Sequence, residues 1–470
     1  MSKDDGDEGD NLDEDSGYDL DDSEYQDDAD LVYENLLTRV GESAPRPRLE
    51  PTRRAVELLG DPQRAYPIIH VTGTNGKTST SRIAESILRA YGLRTGLLTS
   101  PHLVRVNERI VIDGRPISNR ALAANWADIR PYLAMVDSEL AANGEEELTF
   151  FEALTVLAYA SFADAPVDVA VIEVGMGGEW DSTNVADGQV AVFTPIALDH
   201  TQRLGATISQ IAATKSGIIK PLATVVSAAQ STDALAELEK AAQLTESTLS
   251  LEGTDFSLAS TVLAVGGQVI TVKGIAATYA DLFLPLFGDH QAYNAALAVA
   301  AVESFLGGGK KPLERDLLAE GFATATSPGR LQVIGAEPAV LVDAAHNPHG
   351  AAALAAAIKS YFNFDEICVV FGVLADKDAR GIIAAIAPIA QRFHVTQSSS
   401  DRAIASDDLA SLVLEVASEE VTFSFDSCED ALQAARGWAS AAPRRAVLVT
   451  GSITLVGEAL ALAAEQGWKP

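Results

Sequence analysis

Apolar positions along the chain fall into short continuous runs separated by stretches with helical spacing, the alternation expected of parallel sheets joined by crossover helices. Residues 66–72 (YPIIHVT) read as a buried strand, and a glycine-rich loop follows it. Ile83, Ile87, Leu88 and Tyr91 then recur at helical spacing until Gly92 supplies a stop. Residues 95–99, 167–174 and 190–196 are further Val/Ile-rich runs of the length a buried parallel strand needs, and all four strands are expected in one sheet. A second set begins near Ala339 with VLVDA and continues as a helix over 350–362, a strand over 367–373, a helix over 379–391 and a strand over 446–450. Ser327-Pro328-Gly329 breaks any helix between 321 and 330, so a boundary is expected there, with one α/β domain over 31–325 and a smaller, doubly wound α/β domain over 326–470. No internal repeat stands out.

Composition refines this picture. A chain of 470 residues exceeds one compact core, and its length suggests two or three domains. Hydrophobic content of 47% and a mean hydropathy of +0.11 owe much to alanine, and no run approaches the roughly 18 apolar residues that span a bilayer. Neither a transmembrane helix nor a secretory signal is expected, and the two cysteines, Cys368 and Cys428, fit buried thiols in a reducing cytoplasm. The net charge of -32 is uneven: residues 1–30 hold 15 acids and one lysine, or -14, leaving -18 for the remainder. With so few apolar residues, 1–30 is expected to be a disordered acidic tail. The acidic balance also argues against a nucleic-acid partner, because a phosphate backbone requires a basic surface.

The candidate chemistry centres on Gly73-Thr74-Asn75-Gly76-Lys77-Thr78 between the first strand and its helix. Such a loop lets backbone N–H groups converge on phosphate oxygens, and Lys77 can reach the terminal phosphates, which implies ATP with Mg2+. Val71 stands where the usual spacing has its first glycine, so the loop is a variant that starts at Gly73. Thr78 or Ser79 is the default hydroxyl near magnesium. Glu173 ends a buried strand ahead of glycines, which suits either a metal ligand or a strand-end acid facing solvent; Asp199-His200 ends another run and is equally open between a ligand and a structural histidine. On its own spacing, Lys215 before Gly217 reads as a lysine at a helix C-terminus.

Taken together these segments resemble the folylpolyglutamate synthases, in particular the bacterial bifunctional form with dihydrofolate synthase activity, within the Mur ligase superfamily. The resemblance spans roughly residues 51–457 and rests on HVTGTNGKTS (70–79), TSPHL (99–103), NERI (107–110), TFFE (149–152), IEVGMGG with DSTN (172–184), ALDHT (197–201), KSGIIK (215–220), HQAYNA (290–295), SPGR (327–330), DAAHNPHG (343–350) and DKD (376–378). It implies an N-terminal P-loop ATPase domain, a smaller C-terminal α/β domain and an active site in the cleft between them. It also implies the reaction: ATP phosphorylates a carboxylate of dihydropteroate or a folate, and the amine of L-glutamate displaces the phosphate.

Carried over by position, the resemblance makes Ser100, Glu173 and His200 magnesium ligands, which turns Thr78 into a phosphate contact. Lys215 matches a carbamylated lysine and joins Lys77 and His346 in the catalytic set. Thr74, Asn75, Gly76, Lys77 and Thr78 hold the nucleotide from one side, and Asn294, Arg330, Asp343 and His346 from across the cleft. Thr149, Phe150, Phe151, Glu152, Trp180, Asp181 and Ser182 align with the pterin-side pocket. Glu179 stands where a basic residue is common, and KSGI replaces KAGI. The expected partners are small molecules, with neither nucleic acid nor membrane, and the enzyme is expected to be a cytoplasmic monomer. A murein-peptide ligase is the alternative enzyme, and a nucleotide switch without ligase chemistry the alternative class; TSPHL and DSTN favour the folate side over the first, and the HNP and DKD segments argue against the second.

Overall fold

The computed structural model describes residues 20–42 and 46–469. Eight strands form the first sheet: β1 (Ile68–Thr72), β2 (Thr95–Leu98), β3 (Ile110–Ile112), β4 (Arg115–Pro116), β5 (Val169–Glu173), β6 (Val190–Phe193), β7 (Thr224–Ser227) and β8 (Thr248–Leu251). Their order is β4-β3-β2-β5-β1-β6-β7-β8, parallel from β2 to β8, so the four strands expected together are neighbours. Every residue of β1, β2, β5 and β6 is buried, as continuous Val/Ile runs require when helices cover both faces. Helices Lys77–Ala90 and Asp289–Gly307 share one core with β1, and helix Phe150–Asp164 contributes to the other. Strand order reverses at β1, so the loops after β1, β2, β5 and β6 open at one edge, where open α/β sheets bind ligands.

A small antiparallel sheet, β9 (Ser257–Ala264), β10 (Gly267–Lys273) and β11 (Thr278–Leu284), was not foreseen. Its strands mix buried and exposed positions, so no apolar run marks them. The third sheet holds β12 (Gln332–Ala336), β13 (Ala339–Asp343), β14 (Glu366–Phe371), β15 (Arg392–Val395), β16 (Thr422–Ser424) and β17 (Arg445–Thr450) in the order β12-β13-β17-β14-β15-β16. All but β12 run parallel, which gives the doubly wound second half. The helix expected over 379–391 stops at Ile386 and tightens into a 3-10 turn that contains Pro388, which lacks the N–H to continue it.

The acidic tail needs a correction. Residues 1–19 lie outside the described residues, but Leu20–Tyr25 forms a 3-10 turn and Gln26–Leu37 a helix. Ala29, Val32 and Leu36 fall on one helical face and are buried, while the acids that dominate the composition point outward. The Asp22 carboxylate accepts from the backbone N–H groups of Asn119 and Arg120 at 2.8 and 3.0 Å, capping helix Asn119–Ala142. Among the described residues no helix is long and apolar enough to cross a membrane, and both cysteines are buried and unpaired.

Candidate active site in the cleft between the two halves

The loop after β1 is shaped by what stands against it. A side chain at Gly73 would place its Cβ 1.9 Å from Thr194 Oγ1, and one at Gly76 2.4 Å from Asn294 Oδ1; both residues also have positive φ, 144° and 90°. Thr74 ties the loop to the one after β6, donating to Ala197 O at 3.1 Å and accepting from Ala197 N at 3.0 Å. Gly76 begins helix Lys77–Ala90 without a side-chain cap, so first-turn N–H groups face the cleft with the positive end of the helix dipole. Lys77 Nζ donates back to Thr74 O at 3.3 Å.

Glu173, at the end of β5, is 1% exposed and joins two loops: Oε1 accepts from Thr78 Oγ1 at 2.9 Å and Oε2 from Ser100 N at 3.4 Å. Burial raises its pKa above the usual carboxylate range, against the opposing pull of Lys77, Thr78 and Arg330. A buried acid, a serine hydroxyl and a neutral imidazole are a donor set that a hard cation with phosphate and water as further ligands can use. The charge of Lys77 acts on both Glu173 and His200. Among the described residues no group of three or more His, Cys, Asp or Glu side chains is gathered that could hold a metal ion.

Lys215 is buried at the end of helix Ile208–Ser216, and its Nζ donates to Gly73 O at 2.7 Å. It therefore turns away from its own helix terminus and under the phosphate loop. Burial, then the charge of Lys77, lowers its pKa to about 7, so a neutral amine is accessible at physiological pH. Nearby, Asp199 receives Lys377 from the second half at 3.0 Å, with His200 Nε2 at 3.9 Å and His346 Nε2 at 4.0 Å. His346 Nδ1 stands 2.9 Å from Ala344 O, an acceptor only, so the proton is on Nδ1 and Nε2 is bare. Burial, followed by Lys377, lowers His346 to about 3 and His200 to about 4, and both rings are neutral at pH 7.

The halves also meet at the phosphate loop. Asn75 and Asn347 exchange amide hydrogen bonds of 3.0 and 3.5 Å, Asn75 Nδ2 lies 3.0 Å from His349 Nδ1, and Ser79 pairs with Ser327 at 2.9 Å. Arg330 lines a small cleft with Thr78, Arg82, Thr99 and Glu108, and its Nη1 donates to Ala344 O at 3.3 Å. Asn294 is buried behind Gly76 and donates to Gln291 Oε1. Asp343, expected to hold the nucleotide from across the cleft, has oxygens that accept from Leu331 N and Ala345 N, both at 2.8 Å, which fixes the turn carrying Arg330.

The expected pterin-side residues divide in the same way. Thr149 and Glu152 form a capping box at the start of helix Phe150–Asp164, and Arg48 holds Glu152 through two 2.9 Å bonds. Phe150 is a core residue edge-on to Tyr33. Phe151 lies against Gly175, where a Cβ would come within 2.6 Å of its ring, and Trp180 packs near Gly177. Asp181 accepts from Met176 N at 2.8 Å and Thr183 N at 3.0 Å, holding the glycine-rich loop after β5; Ser182 is buried beside it. Thr149, Glu152 and Asp181 thus hydrogen-bond to the backbone of their own segments. Glu179 points its side chain outward and uses its backbone to meet Thr214 and Asn184. Sequence reasoning gave no role to Asp199 beyond its place beside His200, and none to Lys377, Asn347 or Arg109; each lies inside a quoted segment, but its partner is distant in the chain.

Residues 71–302 match the Mur ligase middle domain and residues 329–453 the Mur ligase glutamate ligase domain. The dihydrofolate synthase/folylpolyglutamate synthase of Mycobacterium tuberculosis is 41% identical over 454 residues, 92% of this chain and 93% of that protein. The Escherichia coli protein of the same name is 33% identical over 415 residues, 88% and 90% of the two chains. Among solved structures, Mycobacterium tuberculosis folylpolyglutamate synthase complexed with ADP superposes with a TM-score of 0.89 at 40% identity, covering 95% of this chain and all of that one. The Escherichia coli enzyme in complex with DHPP and ADP gives 0.78 at 30% identity, over 89% and 94%.

Proposed function

The chain belongs to the dihydrofolate synthase/folylpolyglutamate synthase family and is an ATP-dependent ligase that adds L-glutamate to folate-type acceptors; from that premise we propose how its own residues divide the work. Dihydropteroate and folates are the acceptors, giving dihydrofolate and folate polyglutamates. Identity along nearly the whole chain to enzymes of this name favours folate acceptors over muramoyl peptides, although the two domain types are shared with the Mur ligases.

A carboxylate is a poor electrophile and repels an anionic phosphate, so positive groups must gather where they meet. Lys77 and Arg330 approach the nucleotide from opposite halves, Thr74, Asn75, Gly76 and Thr78 line its phosphates, and Asn294 backs the loop. The terminal phosphoryl group moves to an acceptor carboxylate oxygen, leaving ADP and an acyl phosphate. The glutamate amine then attacks the acyl carbon, the C–O bond breaks, phosphate departs with its electron pair, and the amine gives up a proton. His346, neutral with Nε2 bare, can accept a hydrogen bond from that amine within the cleft, and the departing phosphate can take the proton. Ser100, Glu173 and His200 would hold magnesium, which when bound offsets phosphate charge.

Lys215 is the proposed carbamylation site. Its neutral amine adds CO2 and releases a proton, and the carbamate nitrogen keeps one N–H for Gly73 O. Phe151 and Trp180 offer ring faces to the pterin, with Thr149, Phe150, Glu152, Asp181 and Ser182 as its frame. One chain supplies both walls of the cleft, which supports a monomer as the working unit, divided near residue 325.

The observation that carries this reading is Glu173, buried between Thr78 of the phosphate loop and Ser100 of TSPHL. Phosphate release with ATP, L-glutamate and each of dihydropteroate, tetrahydrofolate and a UDP-muramoyl peptide tests it, with product mass counting the glutamates added. Turnover on the first two acceptors is expected; turnover on the muramoyl peptide alone would defeat the assignment.

A further inference from the structure

Arg109 is 3% exposed and lies at the junction of three segments. Its Nε donates to His102 Nδ1 at 2.8 Å, on the loop that carries Ser100. Its two Nη groups grip the Glu42 carboxylate at 2.7 and 2.8 Å, on the segment before helix Glu50–Leu58. Its guanidinium stands 5.1 Å from the centre of the Phe150 ring, at the start of the helix that presents Phe151. The Arg109 carbonyl also accepts from Thr99 N at 3.0 Å, so backbone and side chain hold both flanks of Ser100.

The surrounding contacts close this frame. Arginine can only donate, so His102 Nδ1 must be unprotonated and the ring proton sits on Nε2, which faces Tyr33 Oη at 3.5 Å. Tyr33 meets both His102 and Phe150 edge-on, at 5.4 and 6.3 Å. Phe150 N donates to Val40 O at 2.9 Å, which ties the Glu42 segment to the same helix start. On the other side of the chain, neighbouring Glu108 accepts from Leu103 N, Val104 N and Arg105 N at 2.8, 3.0 and 2.8 Å, fixing the loop's C-terminal half.

We propose that Arg109 is a positioning residue for the acceptor: its fork sets the distance between the Ser100 loop and the Phe150–Phe151 helix end, and so governs acceptor affinity without touching the nucleotide. A bidentate guanidinium suits this task because it fixes angles as well as distance, which an ammonium does not. None of its contacts reaches Gly73–Thr78, Lys215 or Arg330. The inference rests on the assignment of Phe151 and its neighbours to the acceptor pocket.

Arg109→Lys keeps the charge opposite Glu42 and loses the fork. Its Kd for dihydropteroate without nucleotide, and its KM for dihydropteroate, should rise about tenfold, while the KM for ATP stays within about twofold of the parent. His102→Phe keeps the ring contacts with Tyr33 but removes the acceptor for Nε; it should shift the same constants in the same direction, and the double variant should add little to Arg109→Lys. If Arg109→Lys does not fold, His102→Phe carries the test alone. Unchanged acceptor constants in the folded variants, or acceptor and ATP constants that worsen together, would overturn the proposal. A parent enzyme that binds no dihydropteroate would overturn the function assigned above and this inference with it, whereas a parent that binds it and an indifferent variant would overturn this inference alone.

Discussion

Lys377 Nζ lies 3.0 Å from Asp199 Oδ1, an ion pair between the second half and the loop after β6, with the two side chains only 10% and 13% exposed. Together with Asn75–Asn347 it clasps the cleft at the place where the phosphate loop opens. Asp199→Asn leaves Lys377 as a little-exposed cation without its anion and is expected to cost about 3 kcal/mol, the scale for breaking a buried pair, measured by urea unfolding. Burial raises the Asp199 pKa, but His200, Lys377 and His346 outweigh it and hold the group below the usual carboxylate range. Stability from a depressed carboxylate is present above its unfolded pKa and lost as pH falls through the folded value, so the clasp should persist through mildly acidic pH and fail only in strong acid. A Lys377→Met variant whose stability matches the parent would show that the pair contributes nothing.

Lys215 should leave a signature at the opposite end of the pH scale. Its folded pKa of about 7 lies below that of an unfolded lysine. Between those values the unfolded chain binds more protons, so stability should rise with pH from about 7 upward. Lys215→Met should lack that rise in urea midpoints compared at about pH 7 and pH 9. The intact mass of enzyme incubated with bicarbonate should show one added CO2 in the parent and none in Lys215→Arg. Plain lysine in an active, bicarbonate-supplied preparation would remove the carbamate from the mechanism.

Gly76→Ala should abolish nucleotide binding. The φ of 90° is costly for alanine, and the new Cβ would lie 2.4 Å from Asn294 Oδ1. Calorimetry with ADP should find an affinity lowered at least about a hundredfold in a protein that keeps its far-ultraviolet circular dichroism. Normal ADP binding would mean that the loop can shift without loss.

Helix Gln26–Leu37 is expected to belong to the cooperative fold. Leu36 is fully buried, so Leu36→Ala should lose about 2–5 kcal/mol, while exposed Leu31→Ala should stay within about 0.5 kcal/mol. Equal, small effects at both positions would return the helix to the acidic tail.

The strand, loop and helix around Gly73–Lys77 were legible because each signal is local: a continuous apolar run, glycines where φ is positive, and apolar residues at helical spacing. The doubly wound second half was legible for the same reason, from Ala339 to Thr450. Strands β9 to β11 escaped because an exposed sheet face breaks the apolar runs, and helix Gln26–Leu37 because its acids outnumber the three residues it buries. Composition averages over faces that packing separates.

The sequence by itself determined the phosphate loop, the acid at the end of β5, the lysine before Gly217 and the two α/β halves, since these follow from residue type at fixed local spacing. Only the tertiary structure decided which partners the polar groups find. Asp343, Asp181 and the Thr149–Glu152 box satisfy nearby backbone N–H groups, while Lys215 reaches Gly73 across 142 positions and Asn75 meets Asn347 across 272. A hydrogen-bonding group buried on folding must find a partner, and that partner is set by which chain segments meet in space, which local spacing does not encode.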